Sequence, residues 1–228
     1  MDTWTPTYDA IMANELAVEY QPHILLLGGF ACDYRQKVKD NELYRNLDLS
    51  VCDQDFGCAC CTWFRGAASD LSRDPVDIAR VQLERVLETA EGEGRNRGVF
   101  DLLDVRLFRL IDRFADMVLD LPLPPSRFYF EPRADRVLEV GHKLERVLPR
   151  FKAAGHSIAL FRMGAENLVE EENLLLNKGI SLEQIDAVGR LLKGLKDAYP
   201  DHFEYDPTWG YITCSPWTTL EMFESGIE

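Results

Sequence analysis

The sequence predicts an α/β fold built on a parallel sheet, and three observations predict it. Short apolar runs that read as strands alternate with amphipathic helical stripes along most of the 228-residue chain. Helices of this length between strands imply parallel pairing with right-handed crossovers. The helix ends carry their own punctuation in caps, prolines and glycines.

The elements follow in order. Leu47 to Val51 reads as the first strand. Asp74-Pro75 supplies an N-cap ahead of proline at the first helical position, and Val76, Ala79, Leu83, Val86, Leu87 and Ala90 form one stripe. Glu91-Gly92-Glu93-Gly94 ends that helix, and Val99 to Leu103 reads as a buried strand. Leu107, Phe108, Ile111, Phe114, Ala115 and Val118 trace a second helix, stopped before Pro122-Leu123-Pro124-Pro125. Arg127 to Glu131 is the next strand; Val137, Val140, Leu144, Val147, Leu148 and Phe151 mark a helix ending at Gly155. Ser157 to Arg162 is a strand. Ser181 and Gln184 form a capping box for a helix with stripe Ile185, Val188, Leu192, Leu195 and Tyr199, closed by Pro200. Gly210 to Cys214 reads as a further strand. The next helix has barely begun at Thr219-Leu220-Glu221 when the chain ends, which suggests a fragment or a barrel completed by a partner. A doubly wound sheet and a barrel both fit this ladder, and either places ligands at the C-terminal ends of the strands.

Composition narrows the class. The chain is 46% hydrophobic and 28% charged, a balance that suits one larger domain. A net charge of −14 argues against nucleic acid as a partner. The basic runs Arg95-Asn96-Arg97 and Lys193 to Lys196 are brief and diluted by acids, and read as solvated helix surface. The apolar run Ile24 to Leu27 is too short to cross a bilayer, and the opening Met1-Asp2-Thr3-Trp4 carries no secretion signal. The expectation is a cytoplasmic protein without a membrane partner, in a reducing compartment that disfavours disulfides.

Chemistry concentrates in Val51-Cys52-Asp53-Gln54-Asp55-Phe56-Gly57-Cys58-Ala59-Cys60-Cys61, which holds four of the six cysteines. Thiolates crowded into one loop need a soft cation or each other, so an iron–sulfur cluster, a zinc ion and a disulfide are the candidates. Cys52, Cys58 and Cys61 have the spacing C-x5-C-x2-C, with Cys60 inside the last interval. Three thiolates can occupy three irons of a cubane and leave the fourth open. A structural zinc site needs a fourth ligand, and neither Cys32, Cys214 nor the four histidines supply a second knuckle. Asp104, Arg133 and Glu166 each stand just after a predicted strand, at the same edge as the cysteines. Two other functions compete: a non-catalytic iron–sulfur or zinc-binding module, and a nucleotide- or sugar-binding enzyme supported by Leu27-Gly28-Gly29 alone.

The cysteine loop, followed by strand–helix units, resembles the radical S-adenosylmethionine (SAM) enzymes, whose usual loop is C-x3-C-x2-C. Arg162-Met163-Gly164-Ala165-Glu166-Asn167-Leu168 with Asn177-Lys178-Gly179-Ile180-Ser181 is similar to the family's fourth-strand segment and the turn after it. Phe130-Glu131-Pro132-Arg133-Ala134-Asp135 resembles the third-strand end of cobalamin-type branches. The resemblance covers roughly 47–228 and implies a partial (β/α)6 barrel cut short at its C-terminus, with 1–46 as an N-terminal extension, a remnant of an α/β domain. It implies a [4Fe-4S] cluster on Cys52, Cys58 and Cys61, SAM at the open iron, and radical chemistry on a small-molecule or peptide substrate. It further implies an electron donor such as flavodoxin or ferredoxin. By the same resemblance Glu166 contacts SAM, Asp104 takes the amino-group contact, and Arg133 anchors a carboxylate or pairs with Glu131 or Asp135. The chain departs from the family where Cys60 replaces an aromatic residue and where no Gly-Gly-Glu follows the second strand. No Asp-x-His-x-x-Gly motif supports cobalamin.

Overall fold

The computed structural model describes residues 23–26, 32, 34–48, 56–61, 73–90, 98–206 and 209–226. Its centre is a five-stranded, wholly parallel sheet: β1 (His23–Leu26), β2 (Val99–Leu102), β3 (Arg127–Phe130), β4 (Ser157–Leu160) and β6 (Phe203–Tyr205), in that spatial order. A second, two-stranded parallel sheet joins β5 (Gly164–Glu166) to β7 (Gly210–Tyr211). The helices are α1 (Pro75–Ala90), α2 (Arg106–Arg109), α3 (Ile111–Asp120), α4 (Ala134–Ala154), α5 (Glu170–Leu175), α6 (Leu182–Ala198) and α7 (Leu220–Ser225).

The five strands lie side by side in chain order, so the sheet has no point at which the order reverses. Crossovers of one hand then leave their helices on one face. The contacts agree: α1 packs on α3, α3 on α4 and α4 on α6. Beneath them Phe100, Phe128, Ile158 and Phe203 are aligned across four strands and wholly buried. Phe114 of α3 meets Phe128 and Phe130 edge-on at 5.3 and 5.5 Å, and Phe151 of α4 lies 5.8 Å from Phe128. Truncating any one of these phenylalanines to alanine would cost about 3–5 kcal/mol. The opposite face carries Asp101, Tyr129, Ala159 and Glu204 in one row and Val99, Arg127 and Ser157 in the next. One face is a core and the other is largely polar.

Local chemistry sets the boundaries. Asp74 caps α1 through its carboxylate on the Val76 N–H at 2.9 Å. Ser181 and Gln184 close a capping box on α6. Gly155 ends α4 in the left-handed conformation, φ 76°, with the His156 N–H returning to the Phe151 carbonyl at 2.8 Å. Pro149 lies inside α4 on its exposed side, where the hydrogen bond it forfeits is open to water. The helix expected over 107–118 is two, α2 and α3, broken at Leu110.

The largest difference from the sequence expectation concerns the first strand. Leu47 and Asp48 belong to no strand, and 49–51 lie outside the described residues. The strand beside β2 is β1, within the stretch assigned above to an extension. At the far edge the fifth strand is Phe203–Tyr205, while Gly210–Tyr211 pairs with β5 instead. Among the described residues no helix is long and apolar enough to cross a membrane.

Candidate functional site

Phe56 to Cys61 is held at the C-terminal edge of the sheet by backbone contacts from two sides. From one side Phe56 bridges Lys37 in antiparallel fashion, and the Gly57 N–H donates to the Gln36 carbonyl at 2.8 Å. From the other, the Ala59 N–H donates to the Leu176 carbonyl at 2.8 Å, and Asn177 Nδ2 donates to the Gly57 carbonyl at 2.7 Å. The Cys61 N–H closes a turn on the Cys58 carbonyl at 3.1 Å, which brings these two cysteines together across two residues. Cys58 is buried, Cys61 half-buried and Cys60 exposed. Loss of hydration, with Glu166 and Cys58 adding to it, still pushes the Cys60 thiol up to about 11. Cys52 lies outside the described residues, and among the described residues no group of three or more histidine, cysteine or acidic side chains is placed to hold a metal.

The platform beneath this turn is the 174–178 segment. Asn177 adopts φ 49°, a conformation asparagine tolerates better than most residues. Asn41 donates through Nδ2 to the Leu174 carbonyl at 2.6 Å and to Asn177 Oδ1 at 3.2 Å, Tyr44 donates to the Leu175 carbonyl, and Tyr34 reaches the Asn177 carbonyl at 2.9 Å. Burial pushes the Tyr34 phenol up to about 12, against the pull of the Arg133 guanidinium.

Arg133 connects the strand end to the cysteine turn. It follows β3, is 7% exposed, and lies 3.8 Å over the Tyr34 ring. Nε donates to Asp135 Oδ1 at 3.0 Å, Nη2 to the Lys178 carbonyl at 2.7 Å, and Nη1 to Cys58 Sγ at 3.3 Å. Asp135 is therefore its ionic partner, whereas Glu131 pairs with Arg162 at 3.1 Å. Burial, aided by Asp101, raises the Glu131 carboxyl although Arg162 pulls it down.

Glu166 pairs with Lys178, and both are largely withdrawn from water, with side chains 17% and 5% exposed. Glu166 sits at φ 65° at the end of β5. Gly164 leaves room for the pair, because a Cβ there would come within 2.6 Å of both Glu166 Oε1 and Lys178 Nζ. Asn167 ties the segment to the chain after β7 by donating to the Ile212 carbonyl at 3.0 Å. Asp104 stands at the end of β2 with no exposed side-chain surface, gripped by Arg106 at 2.6 to 3.2 Å. Its carboxylate is thus taken up by that guanidinium and closed to water.

No protein-family model, curated protein or solved structure matches this chain. Of the residues expected at the site, Cys58, Cys61, Arg133 and Glu166 gather round one platform at one sheet edge. Asp104 occupies the same edge but is already committed. Tyr34, Asn41 and Lys178 hold the platform together and were given no role from sequence. The Asn177-Lys178-Gly179 turn offered the one signal that could have found Lys178; Tyr34 and Asn41 lie in a stretch without usable periodicity.

Proposed function

We propose that this protein is a radical SAM enzyme with a partial (β/α)6 barrel, in which Cys58 and Cys61, with Cys52, would hold a [4Fe-4S] cluster. One observation carries the reading: a buried and a half-buried thiol lie on one turn at the C-terminal edge of a parallel sheet. Sequential strand order with helices on one face supports the barrel. Soft sulfur donors beside a buried guanidinium suit an anionic iron–sulfur group. The chemistry supplied by a bound cluster is one-electron reductive cleavage of SAM into methionine and a 5′-deoxyadenosyl radical. Of the two carboxylates expected to touch SAM, Glu166 keeps part of its side chain open and Asp104 keeps none, so Glu166 serves as the SAM contact, with Lys178 fixing its orientation. The platform under the cysteine turn keeps the thiols in place and limits water at the site.

The test is anaerobic reconstitution with iron and sulfide, reduction with a strong one-electron donor, and assay of 5′-deoxyadenosine. The expected outcome is product from the wild type and loss of iron and product in Cys58→Ala and Cys61→Ala, with iron retained in Cys60→Ala. An intact reduced cluster that neither binds SAM nor yields 5′-deoxyadenosine would reject the enzyme and leave a non-catalytic metal module.

A further inference from the structure

We infer that Arg133 is a positioning residue that sets the reduction potential of the thiolate centre through its hydrogen bond to Cys58. The inference rests on the cluster reading above and assigns Arg133 a task other than gripping a substrate or SAM carboxylate. Each of the three guanidinium nitrogens has a partner: Nε on Asp135 at 3.0 Å, Nη2 on the Lys178 carbonyl at 2.7 Å, and Nη1 on Cys58 Sγ at 3.3 Å. The plane is stacked at 3.8 Å on Tyr34 and only 7% of the residue is exposed. An arginine clamped from the ring face and from its edges cannot swing out to meet a ligand. It can only present a fixed positive charge and a fixed N–H to one sulfur.

That presentation has a defined electrical consequence. Reduction adds one electron, supplied by an external one-electron donor, and forms or breaks no bond to hydrogen. The centre becomes more negative by one charge. A cation and an N–H donor on a ligand sulfur favour the more negative state, so the potential rises. Burial removes the salt screening that would weaken the effect at the surface. Asp135 opposes it, because its carboxylate offsets part of the guanidinium charge while leaving the N–H on the sulfur.

The experiment is a potentiometric titration of the reconstituted full chain, followed by the paramagnetic resonance of the reduced cluster and normalised to iron and sulfide content. Arg133→Gln is expected to hold at least tenfold less reduced cluster at the same poised potential, a midpoint about 59 mV more negative. Arg133→Lys keeps the charge but not the fork that reaches Cys58 and Lys178 together, so it falls between the wild type and Arg133→Gln. Asp135→Asn is expected to move the midpoint the other way. A merely structural role would shift the Gln and Asn variants in the same direction, and that result overturns the inference. So does a wild-type midpoint in Arg133→Gln, or in Arg133→Lys, where charge alone would be acting. If Arg133→Gln does not fold, the Lys and Asn variants decide between these outcomes. A wild-type chain that takes up no cluster overturns the reading above, whereas a normal cluster with an unmoved potential overturns this inference alone.

Discussion

At the N-terminal edge of the sheet the ion pair Arg127–Glu204 is open to water; at the C-terminal edge Arg133–Asp135 and Lys178–Glu166 are largely withdrawn from it. On the first edge Ser126 Oγ donates to the Pro124 carbonyl at 2.6 Å, the Ser126 N–H to His156 Nδ1 at 3.1 Å, and His202 Nδ1 to the His156 carbonyl at 2.8 Å. A cavity of about 400 Å³ opens there, between Gly98, Arg127, Tyr129 and Asp201. On the second edge Arg133 reaches Cys58, Lys178 reaches Glu166, and Asn177 reaches Gly57. Three non-glycine residues there, Arg162, Glu166 and Asn177, hold positive φ. Each such residue stores of order 1–3 kcal/mol and persists only where its surroundings enforce it. Room alone marks a gap between elements, while buried charge and strain mark a place the fold is built to keep. We therefore set the site at the C-terminal edge, which is also where parallel α/β sheets place their ligands.

The sharpest way to break this comparison is at Lys178. Lys178→Met would leave the Glu166 carboxylate largely buried without its cation, and the expected loss is about 3 kcal/mol or more in urea unfolding. Adding Glu166→Gln should restore most of it, because the stranded charge is then gone. A loss under about 1 kcal/mol for the single variant would mean that the pair is solvated and that the C-terminal edge is no more demanding than a surface.

The N-terminal edge makes a smaller demand with a different signature. Burial lowers the His156 pKa below its ordinary 6.5, and its Nδ1 must stay unprotonated to accept from Ser126. The unfolded chain then binds the proton more readily, so stability is full above 6.5 and is lost as pH falls through the lowered folded value. The expected loss is about 1–2 kcal/mol, the worth of the bond and its unmet donor. Urea midpoints measured from pH 8 downward should show that slope, and His156→Gln should flatten it. An unchanged slope in His156→Gln would place the acid sensitivity elsewhere.

How much of this was readable from sequence depends on whether the cause is local. Capping by Asp74, the Ser181 and Gln184 box and the stop at Gly155 are local, and each was visible in the order of residues. The stripes of α1, α4 and α6 were visible for the same reason. Strand β6 was not, since three residues carry too little alternation to count. The place of β1 was not either: it pairs with a strand more than seventy residues away, and nothing at Ile24 announces that partner. Among the candidate residues, Cys58 and Cys61 stood out by their spacing. Asn41 and Tyr34 did not, because their contacts at the site are with residues far along the chain, on the 174–177 turn and at Arg133.

The smallest expected effect tests the cavity itself. Arg127 lines it, donating from Nη1 to Glu204 at 2.9 Å and more loosely to Tyr129 at 3.4 Å, and from Nε to Ser157 at 3.4 Å. The ion pair is open to water, its side chains 42% and 51% exposed, so solvent and salt screen it. Arg127→Gln should therefore cost no more than about 0.5 kcal/mol, the ordinary worth of an exposed pair. Iron content and 5′-deoxyadenosine yield should remain at the wild-type level, because the change lies at the opposite edge of the sheet from Cys58. A large loss of product at unchanged stability would show a ligand reading that arginine. The C-terminal edge, favoured by strain and buried charge, would then give way to the edge that holds this cavity.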